Sequence, residues 1–589
     1  MPTADELIGK LRSPDAFPHP VTAVEIVETH ISWVLLTGRF AYKIKKPVDF
    51  GFLDFSTLRK RLVMCREEVR LNRRTAAELY LDVVAIVPRD DGAVAVGPSV
   101  LVPAQTAALP AEPIEYAVKM RQFDQRELFD RRLRDGRLTD ADVDDLADRV
   151  ALFHRSIDVL PSDAPYGTPE ILRAAMEDNF ATLRDTVPQL PPATPPPADS
   201  SDSPQASRPP LADRLRTLEQ WHAAAFPRLA PVVQRRRDNG FVRECHGDLH
   251  LRNIVRLPEG VRMFDCIEFN PAFRWIDVLD DVAFAVMDFA DHRRWDWGFR
   301  LLNRYLEHTG DYEHLQILPF YICYRSLVRA KVAALRWRQQ VPEQLQTRAE
   351  GRETATGGAG ASASAKQPHR FRRGGHGSGM RLDPDDAFEQ AAAVAEYVDL
   401  ALRARRPSAP RVVVLCGVSA SGKSTCGQRL LENLRLIRIR SDVERKRLFG
   451  LPRDAHSGSR LNAGIYAPSA TEQTYARLHA LAAKILDADF GVLVDATCLQ
   501  RWQRLRFQEL AARRRIPFHI VWLDTPPEEC RRRLRAREDQ VSEATLEVLE
   551  QQLASFEPFD PSETPHVVRV LPETPAEEVL RSLRLPADS

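Results

Sequence analysis

The sequence lacks a charge of one sign. Its 589 residues hold 83 Lys and Arg against 82 Asp and Glu, a formal balance of +1. A protein that grips nucleic acid or an anionic membrane through its overall field is therefore not expected. Long apolar runs are missing too, since no stretch approaches the roughly 20 residues that a bilayer span needs. Cysteine is sparse. Cys65, Cys245, Cys266, Cys323, Cys416, Cys426, Cys498 and Cys530 are scattered with no CxxC pair. That usage points to reduced thiols in a cytoplasm rather than to a disulfide framework. The opening stretch, MPTADELIGKLRSPDAFPHP, has early acids and no apolar core, so no secretory signal is expected. No internal repeat is visible.

What is present is an ordinary globular composition, 44% hydrophobic. The length suggests roughly three to five compact units. Two stretches stand apart. Residues 185–212 are rich in Pro and Ser, and residues 342–381 carry ETATGGAGASASAKQ and FRRGGHGSGM. Neither can bury enough apolar surface to offset the entropy of ordering, so both are expected to be disordered. Between residues 21 and 46 the pattern reads strand, turn, strand: ISWVLL, then Thr37-Gly38-Arg39, then FAYKIKK. Residues 57–80 read as a helix with Leu62, Val63, Val69 and Leu71 as its apolar positions, and YAVKM at 116–120 as a further strand. Helical spacing returns at 137–157 and 276–340. LDPDDAFEQAAAVAEYVDLALRAR, at 382–405, predicts a helix opened by Pro384. RVVVLC at 411–416 reads as a buried parallel strand that starts a unit alternating strand and helix. The expected division is 1–406 and 407–589.

The segment ECHGDLHLRNIV, at 244–255, is dense in polar chemistry. A zinc site built from Cys245, His246, His250 and Cys266 fits no tetrahedral spacing, and two of those ligands are adjacent. A plain polar loop and a phosphotransfer loop both remain open on these residues alone. FDCIEFN, at 264–270, favours the second. Phosphoryl transfer needs a carboxylate to accept the proton of the attacking hydroxyl and oxygen ligands for magnesium. Asp248 would be the base. Asn253, five residues on, and Asp265, after the apolar run VRMF, would hold the metal.

HGDLHLRN, with Asp265 and Glu268 after the next strand, resembles the aminoglycoside phosphotransferase and choline kinase branch of the protein-kinase-like fold. The likeness covers roughly residues 20 to 405. It implies an α+β bilobal domain in which Lys43, of the A-x-K spacing in AYKIKK, pairs with the nucleotide phosphates; Lys45, on the same strand face, is the alternative. Glu68 would position that lysine, with Glu67 as the alternative. VKMRQ, around Lys119 and Met120, would be the hinge to the adenine. His246 would brace the loop, and Asp280 and Asp281 would brace it or start a helix. The segment THISWVLLTGRF departs from the pattern, because Gly38 is its only glycine and no G-x-G-x-x-G covers the phosphates.

GVSASGKST, at 417–425, fits G-x-x-x-x-G-K-[ST] in full and sits between the strand RVVVLC and the helical TCGQRLLENL. Backbone N–H groups of such a loop cradle phosphate oxygens, and the helix N-terminus adds partial positive charge. Gly417, Ser419, Ser421, Gly422 and Thr425 would form the cradle. Lys423 would reach the β/γ-phosphates, and Ser424 would ligate Mg²⁺. This unit resembles the small P-loop kinases such as gluconate, adenylate and polynucleotide kinases, an α/β fold with a parallel sheet. The likeness implies that Asp442 contacts or deprotonates the acceptor hydroxyl and that Asp495 is the Walker B acid. It also implies that Arg533 and Arg537, on one helix face, close over the phosphates. A solvated basic helix is the plain reading of those arginines, and a helix cap is that of Asp442.

Together the halves resemble the bifunctional aminoglycoside phosphotransferase-like, ATP-binding proteins. The expected cofactors are ATP and Mg²⁺, and the expected partner is a small-molecule hydroxyl acceptor, with no membrane and no nucleic acid. Two alternatives are a degenerate ATP sensor regulating the P-loop kinase, prompted by the missing glycine loop, and a nucleic-acid 5′-hydroxyl kinase, prompted by the arginines.

Overall fold

The computed structural model describes residues 3–51, 53–102, 111–191, 209–353, 384–406, 408–455, 464–536 and 545–583. Its packing forms two compact units. The first comprises Met1–Thr168, Pro231–Tyr321 and Arg406–Ser589; the second comprises Pro169–Ala230 and Ile322–Arg405.

In the first unit, α1 (Ala4–Lys10) precedes a wholly antiparallel sheet. Its strands are β1 (Glu25–Glu28), β2 (Ser32–Leu36), β3 (Phe40–Lys45), β4 (Tyr80–Pro88), β5 (Val94–Ser99) and β6 (Glu115–Arg121). The order across the sheet is β1-β2-β3-β6-β4-β5. Helix α2 (Leu58–Ala76) starts where the Thr57 hydroxyl accepts the N–H of Lys60. Leu62, Cys65 and Val69 of α2 pack on Ala41, Val83, Val118 and Met120 of the sheet. Val63, another apolar position of the helix, is 49% exposed. Positions 62, 65 and 69 share the sheet-facing stripe, and 63 turns away from it.

A helical segment follows. It contains α3 (Phe129–Arg134) and α4 (Asp140–Ser156), the latter opened by a Thr139–Asp142 capping box. Then come α5 (Pro169–Thr186) and α6 (Leu211–Asp238). The short strands β7 (Val242–Glu244), β8 (Ile254–Leu257), β9 (Gly260–Met263) and β10 (Trp275–Asp277) carry the HGDLHLRN region. They pair antiparallel as β7 with β10 and β8 with β9. The helical pattern expected over 276–340 is three helices: α7 (Val278–Asp291), α8 (Trp295–Thr309) and α9 (Leu318–Glu353). Gly310, at φ +74°, ends α8 in the left-handed conformation that favours glycine.

The second unit is helical, built from α5, most of α6, most of α9, and α10 (Pro384–Ala404), which Pro384 opens as expected. Arg214 and Asp399 pair within it, as do Lys331 and Asp178. Of the two low-complexity stretches, residues 192–208 and 354–381 lie outside the described residues. Helix α9 runs into the second stretch as far as Glu353, because Gln, Glu, Arg and Leu in that part are adequate helix formers.

From residue 411 the first unit continues as a parallel α/β segment. Its elements are β11 (Val412–Cys416), α11 (Lys423–Leu434), β12 (Ile437–Arg440), α12 (Ser441–Leu448), α13 (Pro468–Asp487), β13 (Val492–Asp495), α14 (Arg501–Arg514), β14 (Phe518–Leu523), α15 (Pro527–Arg535), α16 (Leu546–Ala554), β15 (Val567–Val570) and α17 (Ala576–Leu583). The strand order is β12-β13-β11-β14-β15, parallel throughout. Every residue of β11 is buried, as a strand covered by helices on both faces must be. No described helix is long and apolar enough to cross a membrane.

One buried ion cluster fixes the helical segment to β10. The fully buried Arg236 donates to Asp277 at 2.5 and 2.8 Å and to Asp311 at 2.7 Å twice. Asp277 also caps α7 by accepting the N–H of Leu279. Replacing Arg236 by Met leaves two buried carboxylates without their cation, a loss of about 3–5 kcal/mol. The expected outcome is early loss of amide-exchange protection in β7 and β10, read by hydrogen-exchange mass spectrometry.

Candidate functional site

The phosphate loop lies where β11 meets α11. Gly417 has φ +153°, and a Cβ there would meet Ser421 Oγ at 2.8 Å and the Leu523 carbonyl at 3.1 Å. Gly422, at φ +99°, is the residue before the helix, and Ala420 is also left-handed at φ +60°. The turn therefore curls its amides inward, ahead of the positive end of α11. Lys423 Nζ donates to the carbonyls of Gly417 at 3.0 Å and Val418 at 2.7 Å. Burial lowers its pKa, and Asp495 and Asp442 act in the opposite sense. Ser424 and Thr425 are exposed.

Asp442 and Asp495 come to this loop because parallel strands end at one edge. Ser419, Ser421, Gly422, Lys423, Ser424, Thr425, Asp442, Asp495 and Arg533 all line one cavity of about 1320 Å³. Asp442 is not the cap of its helix, since Arg440 holds that position. Asp495 is 6% exposed, and its Oδ2 makes no hydrogen bond among the described residues. A buried carboxylate oxygen left this way suits a hard cation, and Ser424 with Asp495 supplies the oxygen chemistry Mg²⁺ takes. Arg533 Nη1 would lie 3.5 Å from a Cβ on Gly422, which places its guanidinium over the loop. Helix α15 runs to Arg535, and Arg537, expected on the same helix face as Arg533, lies outside the described residues.

The second constellation joins β3, α2 and the loops around β8 and β9. Glu68 is fully buried and takes Lys43 on Oε1 at 2.8 Å and Lys45 on Oε2 at 2.7 Å. Lys43 also reaches Asp265 at 2.5 Å, and Lys45 pairs with Glu268. Both lysines thus hold Glu68, and Lys43 alone of the two also meets Asp265. Burial would lower Lys43, yet Asp265 and Glu68 hold it well above the ordinary lysine value. Glu67 points elsewhere, to Arg70 and Arg274. Asp265, at φ +63°, donates its N–H to the Tyr80 hydroxyl at 3.1 Å.

The loop itself is braced as its sequence implies. Asp281 accepts the N–H groups of His246 at 3.0 Å and Gly247 at 2.9 Å. A Cβ on Gly247 would sit 2.5 Å from the Phe273 carbonyl. His246 Nδ1 accepts the Asp248 N–H, so its Nε2 donates to the Phe264 carbonyl. Burial lowers its pKa and keeps the ring neutral. Asn253 Nδ2 donates to the Asp248 carbonyl and to its Oδ2, both at 3.0 Å. His250 Nε2 lies 3.3 Å from the same carboxylate. The amide oxygen of Asn253 and the Asp265 carboxylate are the groups that could hold a cation. Met120 is buried in the core of the sheet, with its backbone in the ladder opposite Ala41 and Tyr80. The β1–β2 connection closes on itself through Thr29 N–H to the Ser32 carbonyl, without glycines.

Several residues escaped the sequence reading. Tyr80 supports Asp265. Gln552 of α16 accepts the Ser419 N–H at 2.7 Å. Glu307 of α8 gathers Arg438, Arg440 and Arg453. Each contact joins distant segments, and none has a local signature.

A protein-family model for an AAA domain matches residues 412–559. Uncharacterised proteins of Mycobacterium tuberculosis and Mycobacterium bovis are 28% identical over 328 residues, which is 55% of this chain and 58% of each relative. Among solved structures, a gluconokinase from Sinorhizobium meliloti is 23% identical, covering 30% of this chain and 89% of its own, at a TM-score of 0.22. The Mycobacterium tuberculosis APS kinase CysC, in complex with AMPPNP and APS, is 21% identical, covering 30% and 96%, at a TM-score of 0.22. The family match and the parallel strand order β12-β13-β11-β14-β15 agree that the carboxy-terminal segment is an α/β domain with a parallel sheet.

Lys423 holds two carbonyls of the cradle, and phosphate oxygens can replace those contacts. Lys423→Ala is expected to remove the tight component of ATP binding from the full-length protein, read by isothermal titration calorimetry. Unchanged affinity would refute the assignment.

Proposed function

We propose that this protein is an ATP-dependent phosphotransferase that moves the γ-phosphoryl group to a hydroxyl of a small molecule. The observation that carries the reading is the P-loop turn sharing one cavity with two acids, Asp495 at the end of β13 and Asp442 in the first turn of α12. The loop amides and Lys423 would hold the phosphates, and Asp442 would take the proton of the attacking hydroxyl. Ser424 and Asp495 would hold Mg²⁺, which supplies charge neutralisation on the phosphates. Arg533 would stabilise charge spreading onto the equatorial oxygens.

The proposal extends to residues 1–406 as a kinase-like domain with its own nucleotide site, 407–589 being the P-loop domain. Support comes from the Lys43–Glu68 pair, the Lys43 contact with Asp265, and the Asp248–Asn253 hydrogen bond. Lys43 would meet the phosphates, Asp248 would act as base, and Met120 would lie at the adenine hinge. A second reading, in which this domain only senses nucleotide, is favoured by the glycine-free Thr29–Ser32 turn. The 5′-hydroxyl kinase reading loses support, because Arg531 and Arg532 are paired with Glu528, Glu550 and Glu529.

The test is full-length protein with ATP, Mg²⁺ and a metabolite extract, with mass spectrometry scoring products that gain one phosphate. Asp442→Asn is expected to abolish one set of products while ATP binding persists. Asp248→Asn is expected to lower turnover of a second set by about 10²–10⁴-fold with Mg-ATP binding retained. Products lost with Asp442→Asn and untouched by Asp248→Asn would leave the first domain as a sensor. No phosphorylated product at all would refute the transferase reading.

A further inference from the structure

Helix α8 belongs to the segment that follows HGDLHLRN, yet one of its faces is given over to the P-loop domain. Arg300, Asn303 and Glu307 recur at the spacing of one helix stripe. Arg300 joins Asp140 and Asp144 of α4 to Glu432 of α11, each at 2.8 Å. Asn303 accepts the Arg438 N–H at 2.6 Å and donates to the Leu436 carbonyl at 2.9 Å. Glu307 is 1% exposed. Its Oε1 takes Arg438 at 2.6 and 2.8 Å, and its Oε2 faces Arg440 at 3.5 Å and Arg453 at 3.9 Å. Its backbone carbonyl accepts from Arg447 at 2.6 Å. Burial would raise the Glu307 carboxyl, yet Arg438, Arg440 and Arg453 hold it at about 2.

Arg440 is the link to the nucleotide site. It ends β12 directly opposite Asp495, which ends β13. Its Nε lies 3.4 Å from Asp495 Oδ2, the oxygen that makes no hydrogen bond. Arg440 therefore stands between two acids, Glu307 on one side and Asp495 on the other. With both charges present, neither acid holds it alone, and Asp495 Oδ2 stays open to a cation. Without the Glu307 charge, Arg440 would settle on Asp495 and compete there.

We propose that Glu307 is a positioning residue for the P-loop metal site: by sharing Arg440 with Asp495, it lets α8 set the Mg²⁺ affinity of the nucleotide-binding domain. The proposal rests on the P-loop reading above. It would explain why a helix outside that domain inserts a buried carboxylate into it.

Isothermal titration calorimetry of the full-length protein with ATP, in the presence and absence of Mg²⁺, tests it; the P-loop signal is the part that Lys423→Ala removes. Glu307→Gln should leave Mg²⁺-free ATP affinity within about twofold of wild type and cut the Mg²⁺-dependent gain about tenfold. Glu307→Asp should recover part of that gain. Adding Arg440→Gln to Glu307→Gln should restore it, because the competing cation is gone, and structural damage has no such suppressor. Should Glu307→Gln fail to fold, Arg440→Gln alone decides, and it should raise the Mg²⁺-dependent gain. A wild-type Mg²⁺ dependence in folded Glu307→Gln overturns the proposal. So does an equal loss of affinity with and without Mg²⁺, or an Arg440→Gln that changes nothing. If wild-type protein shows no Lys423-dependent ATP binding, the P-loop reading itself has failed, a result distinct from those.

Discussion

The nucleotide-site geometry depends on a close approach of backbone to backbone. Strand β11 is buried on both faces and must end abruptly if its chain is to curl over the sheet edge. It does so at Gly417, where a side chain would collide with Ser421 Oγ and the Leu523 carbonyl. Only then can the amides that follow point inward and α11 start beneath them. Parallel pairing does the rest. Because β12, β13 and β11 run the same way, Arg440, Asp495 and Gly417 arrive at one edge, and Asp442 follows in the first turn of α12. Binding at the carboxyl ends of parallel strands is the general consequence of such a sheet.

The same economy of charge recurs at both constellations. A near-neutral chain of 83 basic and 82 acidic residues places charged groups in its interior, and several of them share more than one partner of opposite sign. Glu68 takes two lysines, Glu307 faces three arginines, and Arg236 takes two aspartates. A buried ion is costly to desolvate, and a single partner rarely offsets that cost. Shared partners also give geometry. Lys43 is held between Glu68 and Asp265, and Arg440 between Glu307 and Asp495, so the position of each cation depends on two elements at once. In this way packing far from the phosphates reaches the groups that would meet them.

Legibility in the sequence followed locality. GVSASGKST was readable because strand, turn and helix lie within twenty-odd residues and each position has a backbone or phosphate reason. The strands around Gly38, the helix α2 and the parallel segment were readable from periodicity alone. Lys43, Glu68, Asp248, Asn253 and Asp265 needed a family likeness to be linked, since they span more than two hundred positions; the structure brings Lys43, Glu68 and Asp265 into contact and pairs Asp248 with Asn253. Which apolar residues of α2 face the sheet was not legible, since a helical stripe does not say which of its edges is covered, and Val63 lies on the open side. Glu307 was invisible: a lone glutamate in an amphipathic helix reads as solvated surface, and only the packing of α8 against β12 makes it internal. Gln552 was missed for the same reason, with α16 more than a hundred residues from the loop it touches.

The most direct test of the account is a crystal structure of the full-length protein with Mg²⁺ and a non-hydrolysable ATP analogue. The account predicts the β-phosphate within the turn from Gly417 to Lys423. Lys423 Nζ would have left the carbonyls of Gly417 and Val418 for phosphate oxygens, and the metal would lie between Ser424 and Asp495. An analogue bound elsewhere, with Lys423 still on those two carbonyls, would contradict it.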